Sequence, residues 1–203
     1  MKYLQKFIDK LAGNSAVFEF LRRILELNFI VPRFYLRKFL GDTYGLKVLD
    51  VGCGTGEMAK DFSGSDYYGI DISRDYIEYA RQKNKGKFQV MDATKMEFPD
   101  SSFDIVFVMA ILHHLNDSDT EAILSEVKRV LRPGGKFLIM DSAKIKSWLN
   151  FITIPFQKMD QGNFIRPVAD YERLVRKYFL PQAEGTFRSG VSTFAYFFIV
   201  SNK

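Results

Sequence analysis

Seven residues, Asp50-Val51-Gly52-Cys53-Gly54-Thr55-Gly56, form the pattern best suited to cradling a small ligand. Glycine permits backbone angles that other residues resist, and it lets a ligand lie directly on the main chain. A helix after such a turn presents free N–H groups and partial positive charge. The glycines stand at 52, 54 and 56, with only Thr55 between the second and third, where the dinucleotide fingerprint has two residues. Asp71 follows an apolar run 19 residues beyond Gly52 (71 − 52). A carboxylate there suits both hydroxyls of a ribose, whether in NAD or in another nucleoside. Asp92, followed by Ala93, ends the next run and is placed to meet an adenine amino group. His113, His114 and Asp141 are the further side chains able to take a proton or orient a substrate. Two histidines and one cysteine do not suggest a metal site, and none is expected.

The elements that must position these residues alternate. Lys47–Val51, Tyr67–Asp71, Lys87–Met91, Phe103–Met109 and Lys136–Asp141 read as strands, the fourth apolar on both faces as an interior parallel strand is. Between them, helices are expected over Glu57–Phe62, after Ser73 to about Lys83, and from a Ser118/Glu121 capping box to about Leu131, where Arg132-Pro133-Gly134-Gly135 stops it. Strand–helix alternation with short connections implies a parallel sheet covered on both faces. The tail differs. A helix over Tyr171–Phe179, capped by Asp170, precedes a hairpin of Glu184–Arg188 and Thr193–Ser201. The first 47 residues read as helical, one helix capped by Asn14 or Ser15 and a second started by Pro32, with Phe34, Leu36, Phe39 and Leu40 as its apolar positions.

Asp71 or Asp92 alone would pass for a solvated strand-end aspartate. Taken together and in order, the motifs carry more. Val48 to Gly56 resembles the first motif of class I S-adenosylmethionine-dependent methyltransferases, and Gly69-Ile70-Asp71-Ile72-Ser73 resembles their second. Asp92-Ala93 with Phe98 to Asp104 resembles the third and the approach to the fourth strand. Leu112-His113-His114-Leu115 and Leu131 to Gly135 resemble later motifs of the small-molecule UbiE/type 11 branch. The resemblance covers about residues 46 to 141 and implies a Rossmann-like, doubly wound α/β fold. Its sheet would have seven mostly parallel strands, with a C-terminal antiparallel hairpin and N-terminal helices. It divides the chain into a helical cap (1–45) and a methyltransferase domain (46–203), with 142–180 as a substrate-covering insert. It implies S-adenosylmethionine as cofactor and S-adenosylhomocysteine as product. Asp50, Gly52 and Gly54 would border the methionine part, with Cys53 and Gly56 completing the turn. Asp71 would hold the ribose and Ile72 flank the adenine. Asp92 and Ala93 would meet the adenine edge, and Met109 would lie near the sulfonium.

Transfer of a methyl group from a sulfonium is an in-line displacement, so the protein's main work is alignment, and a general base is optional. His114 is a candidate base or orienting group, and Asp141 a candidate lining of the substrate mouth; packing roles are the competing reading for both. After the fourth strand stands Met109-Ala110-Ile111-Leu112 rather than the Asn/Asp-Pro-Pro-Tyr of amino-methylating nucleic-acid and protein enzymes. The expected acceptor is therefore a small or lipid-like molecule, with no nucleic acid.

Charge supports a division of labour. Residues 1–47 and 142–203 each carry nine Lys/Arg against four Asp/Glu, whereas 48–141 carries eleven against sixteen. The flanks also hold 21 of the 31 aromatic residues. Trp148 to Phe156 is apolar with Lys144, Lys146 and Lys158 near it, a composition suited to a lipophilic substrate, to peripheral membrane contact, or to a packed lid or dimer contact. A single cysteine, a charge-interrupted N-terminus and no long apolar run lead to an expected cytoplasmic location, as monomer or homodimer. A catalytically silent module of the same fold and an NAD-dependent oxidoreductase remain the alternatives.

Overall fold

The computed structural model describes residues 29–144, 164–190 and 192–202. Its strands are β1 (Lys47–Val51), β2 (Asp66–Asp71), β3 (Lys87–Val90), β4 (Phe103–Met109), β5 (Leu131–Lys144), β6 (Arg166–Pro167), β7 (Ala183–Ser189) and β8 (Ser192–Val200). They lie in the order β3-β2-β1-β4-β5-β8-β7, and the two-residue β6 sits beside the end of β5. The seven strands expected are thus the main path, and β6 is an eighth. β1 pairs in parallel with both β2 and β4, while β8 runs antiparallel to β5 and to β7. The chain therefore winds outward from β1 to β3, then crosses back to build the other half, which opens a crevice beside β1 at the strands' carboxyl ends.

Alternation along the strands feeds two cores. Leu49, Val51, Val106, Val108, Phe137 and Ile139 face helices α3 (Asp117–Val130) and α4 (Val168–Arg176), meeting Ile123, Leu124, Val127 and Leu174. Val48, Ile105, Phe107, Leu138 and Met140 face α1 (Ile30–Leu40), α2 (Arg74–Lys83) and the 3-10 helix Glu57–Phe62, meeting Leu36, Leu40, Ile77, Met58 and Phe62. Phe107 is fully buried and stacks on Phe62 at 5.1 Å. Truncating such a residue to alanine costs about 3–5 kcal/mol.

Several local expectations shift. Glu57–Phe62 is a 3-10 helix rather than an α-helix. It has only six residues, and Gly56 enters it at φ 74 with no side-chain cap. Ser73 caps α2 as expected, accepting from Tyr76 N–H at 3.4 Å. The cap of α3 is Asn116, not Ser118: Asn116 Oδ1 accepts from Asp119 N–H at 2.9 Å, and its Nδ2 donates to the Asp119 carboxylate, a cap two residues earlier. Helix α4 starts at Val168, so Asp170 lies in its first turn instead of capping it. Helix α1 begins two residues before Pro32, and Phe34 is turned outward. Tyr35 and Phe39 instead stack on the hairpin, 4.3 Å from Phe187 and 5.0 Å from Phe198. The helix capped by Asn14 or Ser15 and the apolar segment Trp148–Phe156 lie outside the described residues. Among those described, no helix is long and apolar enough to cross a membrane.

Candidate functional site

Register brings the strand ends level. Val51 pairs with Ile70 and with Val108, Asp71 with Val90, and Met109 with Met140. The loops that follow β1, β2, β3 and β4 therefore leave one edge of the sheet together. Asp50, the three loop glycines, Asp71, Asp92 and Met109 all belong to that edge.

The glycine loop is fixed mainly by backbone. Gly52 and Cys53 both donate to the Ile70 carbonyl, at 2.8 and 2.9 Å, and Gly56 donates to Cys53 O at 2.9 Å. Gly52, Gly54 and Gly56 all have positive φ (73, 52 and 74), angles that penalise any side chain. Their surroundings differ. A β-carbon on Gly52 would collide with Ile111, and one on Gly56 would lie 2.8 Å from Phe88 Cε1. One on Gly54 would meet nothing within 4 Å, so the middle of the loop presents bare backbone to open space. Cys53 is half-buried, and burial, aided by the charges of Asp50 and Asp71, pushes its thiol well up. It is a neutral part of the turn, not a nucleophile.

Asp71 ties the second loop to the first. Its Oδ2 accepts from Gly54 N–H and its Oδ1 from Ser73 N–H, both at 2.9 Å. Burial raises its carboxyl above the usual range, and those N–H bonds oppose the rise. Each oxygen keeps a further lone pair for a hydroxyl. Next to it Ile72 is 75% exposed, an apolar surface at the rim of the crevice. Asp92 is exposed at the end of β3. Its Oδ1 accepts from Thr94 N–H and from the Thr94 hydroxyl, bonds that hold its carboxyl below the usual range. Ala93 and Met109 are half-buried.

Asp50 lies at the floor, 3% exposed, and Tyr67 donates its hydroxyl to Asp50 Oδ2 at 2.5 Å. Burial raises the Asp50 carboxyl to about 7; the Tyr67 bond works against the rise and the nearby Asp71 charge adds to it. The crevice thus gathers the carboxylates Asp71 and Asp92 above the buried Asp50, whose carboxyl keeps part of its proton near neutral pH. That arrangement favours a cationic ligand and repels a pyrophosphate. The first turn after the loop carries another carboxylate, Glu57, which is buried and held by Arg33 at 2.7 Å.

The two histidines part company. His113 is 1% exposed, its Nδ1 2.7 Å from Asp141 Oδ1, while His114 is exposed in the loop after β4. Their rings lie 4.0 Å apart. Asp141 is also 1% exposed, so it does not line a substrate mouth; it is enclosed by the loop after β4 and by Tyr171. Sequence reasoning missed Tyr67, Tyr171 and Arg166. The last is buried and donates to the carbonyls of Leu112 and Leu115. Only tertiary packing marks these residues. Arg33 bridges Glu57 and Asp61 (3.2 Å), tying α1 to the segment after the glycine loop.

Residues 49–139 match the family described as a methyltransferase domain. Over 113 residues the chain is 39% identical to the sterol 24-C-methyltransferase of Gibberella zeae, covering 51% of this chain and 29% of that protein. It is 30% identical over 148 residues to the ubiquinone/menaquinone biosynthesis C-methyltransferase UbiE of Desulfotalea psychrophila, covering 68% and 58%. The chain thus spans less than two thirds of these relatives' length. The solved structure of the PH0226 protein from Pyrococcus horikoshii superposes with a TM-score of 0.68 at 25% identity, covering 83% of this chain and 88% of that one.

Proposed function

We propose that the protein, whose residues 49–139 match the methyltransferase domain family, is a class I methyltransferase of the type 11 branch that transfers a methyl group from S-adenosylmethionine to a small-molecule or lipid-like acceptor. The observation that carries this reading is the union of the glycine loop with Asp71. Bare backbone at Gly54 faces open space, and the carboxylate that anchors it stands at the neighbouring strand end.

The residues fit the cofactor. Asp71 has acceptor capacity left for the ribose hydroxyls, Ile72 offers an apolar face for adenine, and Asp92 with Ala93 stands where the adenine edge would lie. Asp50, Gly52 and Gly54 would border the methionine part, with Cys53 and Gly56 shaping the turn, and Met109 would flank the sulfonium. The carboxylates suit a ligand whose sulfonium and ammonium are positive, and they suit an anionic dinucleotide poorly. When bound, S-adenosylmethionine supplies a methyl group on an excellent leaving group. The chain's residues then have to align the acceptor atom at about 3 Å and exclude water. His114 is the exposed side chain able to orient an acceptor or take its proton.

The acceptor class rests on the relatives, whose names point to a sterol and a quinone, and on the residues after β4, which are Met109-Ala110-Ile111-Leu112. Calorimetry tests the cofactor reading: S-adenosylhomocysteine should bind and NADH should not. Binding of NADH in its place would overturn it. Methyl transfer to sterol, quinone or fatty-acid acceptors, read with labelled cofactor, tests the reaction.

A further inference from the structure

The loop that follows β4 is strained and yet closely held. Ala110 leaves β4 at φ 56, a left-handed angle costing a non-glycine residue about 1–2 kcal/mol. Such strain persists only where surrounding contacts over-determine it. Asp141, at the same level on β5, supplies those contacts. Its Oδ2 accepts from Ile111 N–H at 3.0 Å and from Leu112 N–H at 2.7 Å. Its Oδ1 accepts from His113 Nδ1, which carries its proton when it faces a carboxylate, at 2.7 Å. The Tyr171 hydroxyl lies 3.3 Å from Oδ1 and 3.0 Å from the Ser142 carbonyl, its one proton shared between them. From the far side Arg166 holds the loop's carbonyls. The loop so fixed sets Ile111 in the space beside Gly52 that a β-carbon would need.

We infer that Asp141 is a positioning residue for the cofactor site. It fixes the loop of residues 110–114, the loop sets Ile111 against Gly52, and Ile111 keeps the glycine loop in the conformation that accepts the cofactor. Asp141 touches neither cofactor nor acceptor. Its carboxylate acts through one side chain and two backbone N–H groups. The inference rests on the proposed cofactor reading, and its test separates the two.

The measurement is S-adenosylhomocysteine affinity of the full chain by calorimetry, with unfolding stability recorded in urea on each variant. Asp141→Ala removes every acceptor and should weaken binding about tenfold or more, at denaturant-free conditions where the variant is folded. Asp141→Asn keeps one oxygen for Ile111 and Leu112 and turns its amide toward His113, which can carry its proton on the other nitrogen; its affinity should stay within about threefold of the natural protein. Ile111→Ala leaves the Asp141 bonds in place but empties the space beside Gly52, and should weaken binding about fivefold or more. This variant decides the matter if Asp141→Ala does not fold. A merely structural Asp141 would lower the urea midpoint and leave affinity unchanged, and that result, or natural affinity in Ile111→Ala, overturns the inference. Failure of the unaltered protein to bind S-adenosylhomocysteine would instead overturn the cofactor reading on which it stands.

Discussion

Gly54 donates its backbone N–H to Asp71 Oδ2 at 2.9 Å, so the strand-end carboxylate is tied directly to the middle of the glycine loop. Both Asp71 oxygens accept from N–H groups, the other from Ser73. An asparagine would set its NH2 against one of those donors. Asp71→Ala and Asp71→Asn should therefore both weaken S-adenosylhomocysteine binding about tenfold or more, ~1.4 kcal/mol, while circular dichroism stays native. Unchanged affinity in both would remove the ribose assignment.

The glycines of the loop should separate by what a methyl group meets. At Gly52 it collides with Ile111; at Gly54 it enters open space, and both sites have positive φ. Gly52→Ala should cost about 2–4 kcal/mol of stability, strain plus overpacking, and Gly54→Ala only about 1–2 kcal/mol from the backbone angle. Binding should suffer in both, since the open space over Gly54 is where the proposed cofactor would lie. Urea unfolding beside calorimetry checks this. Equal destabilisation would mean that Ile111 yields freely and is not a rigid neighbour.

Asp50 should leave a pH signature. Burial lifts its carboxyl from the ordinary 3.8 to about 7 in the folded protein. Between those values the folded state holds a proton that the unfolded chain has released, so stability falls as pH rises. The contribution is fully present below about pH 4 and lost above about pH 7. Asp50→Asn removes this slope and keeps an acceptor for the Tyr67 hydroxyl. The urea midpoint of the natural protein minus that of the variant should decline from pH 4 to 7 and then level off. A flat difference would place the Asp50 carboxyl in the ordinary range.

The parts legible in the sequence are those set by local pattern. Phe103–Met109 is a strand because seven successive residues suit a sheet buried on both faces, and its ends match the expectation. The spacing of Gly52, Gly54 and Gly56 and the place of Asp71 were legible because the loop's chemistry demands those residue types. Pairings that cross the chain were not. Asp141 reads as a strand-end carboxylate facing the mouth, and only the β4–β5 register, Met109 beside Met140, turns it under the loop of residues 110–114. Tyr67 is one aromatic among many until the packing brings its hydroxyl to Asp50, 17 residues away. Asn116 won the α3 cap from Ser118 because its side chain reaches the N–H of Asp119, a choice between two good caps that composition does not make.

The same tertiary ties decide where the N-terminus can be cut. The division into a helical cap (1–45) and a methyltransferase domain (46–203) invites a cut near the end of the cap. The structure argues against that cut. Leu36 and Leu40 of α1 are buried in the core shared with Val48 and Phe107. Arg33 bridges to Glu57 and Asp61, and Lys136 donates to the Leu40 carbonyl at 2.7 Å. Losing two buried leucines at about 2–5 kcal/mol each consumes most of a domain's usual margin of about 5–15 kcal/mol. A chain starting at Gly41 should therefore be unfolded or melt far below the natural protein. A chain starting at Phe29 keeps every contact described for the cofactor crevice; it should fold, bind S-adenosylhomocysteine within about threefold, and show its loss, if any, in acceptor turnover. Arg33→Ala should fall between, costing about 1–3 kcal/mol by stripping a partner from the buried carboxylate Glu57 and from Asp61. Thermal melts of the three chains check the order. An undiminished melting temperature in the chain starting at Gly41 would show that α1 is not part of the core.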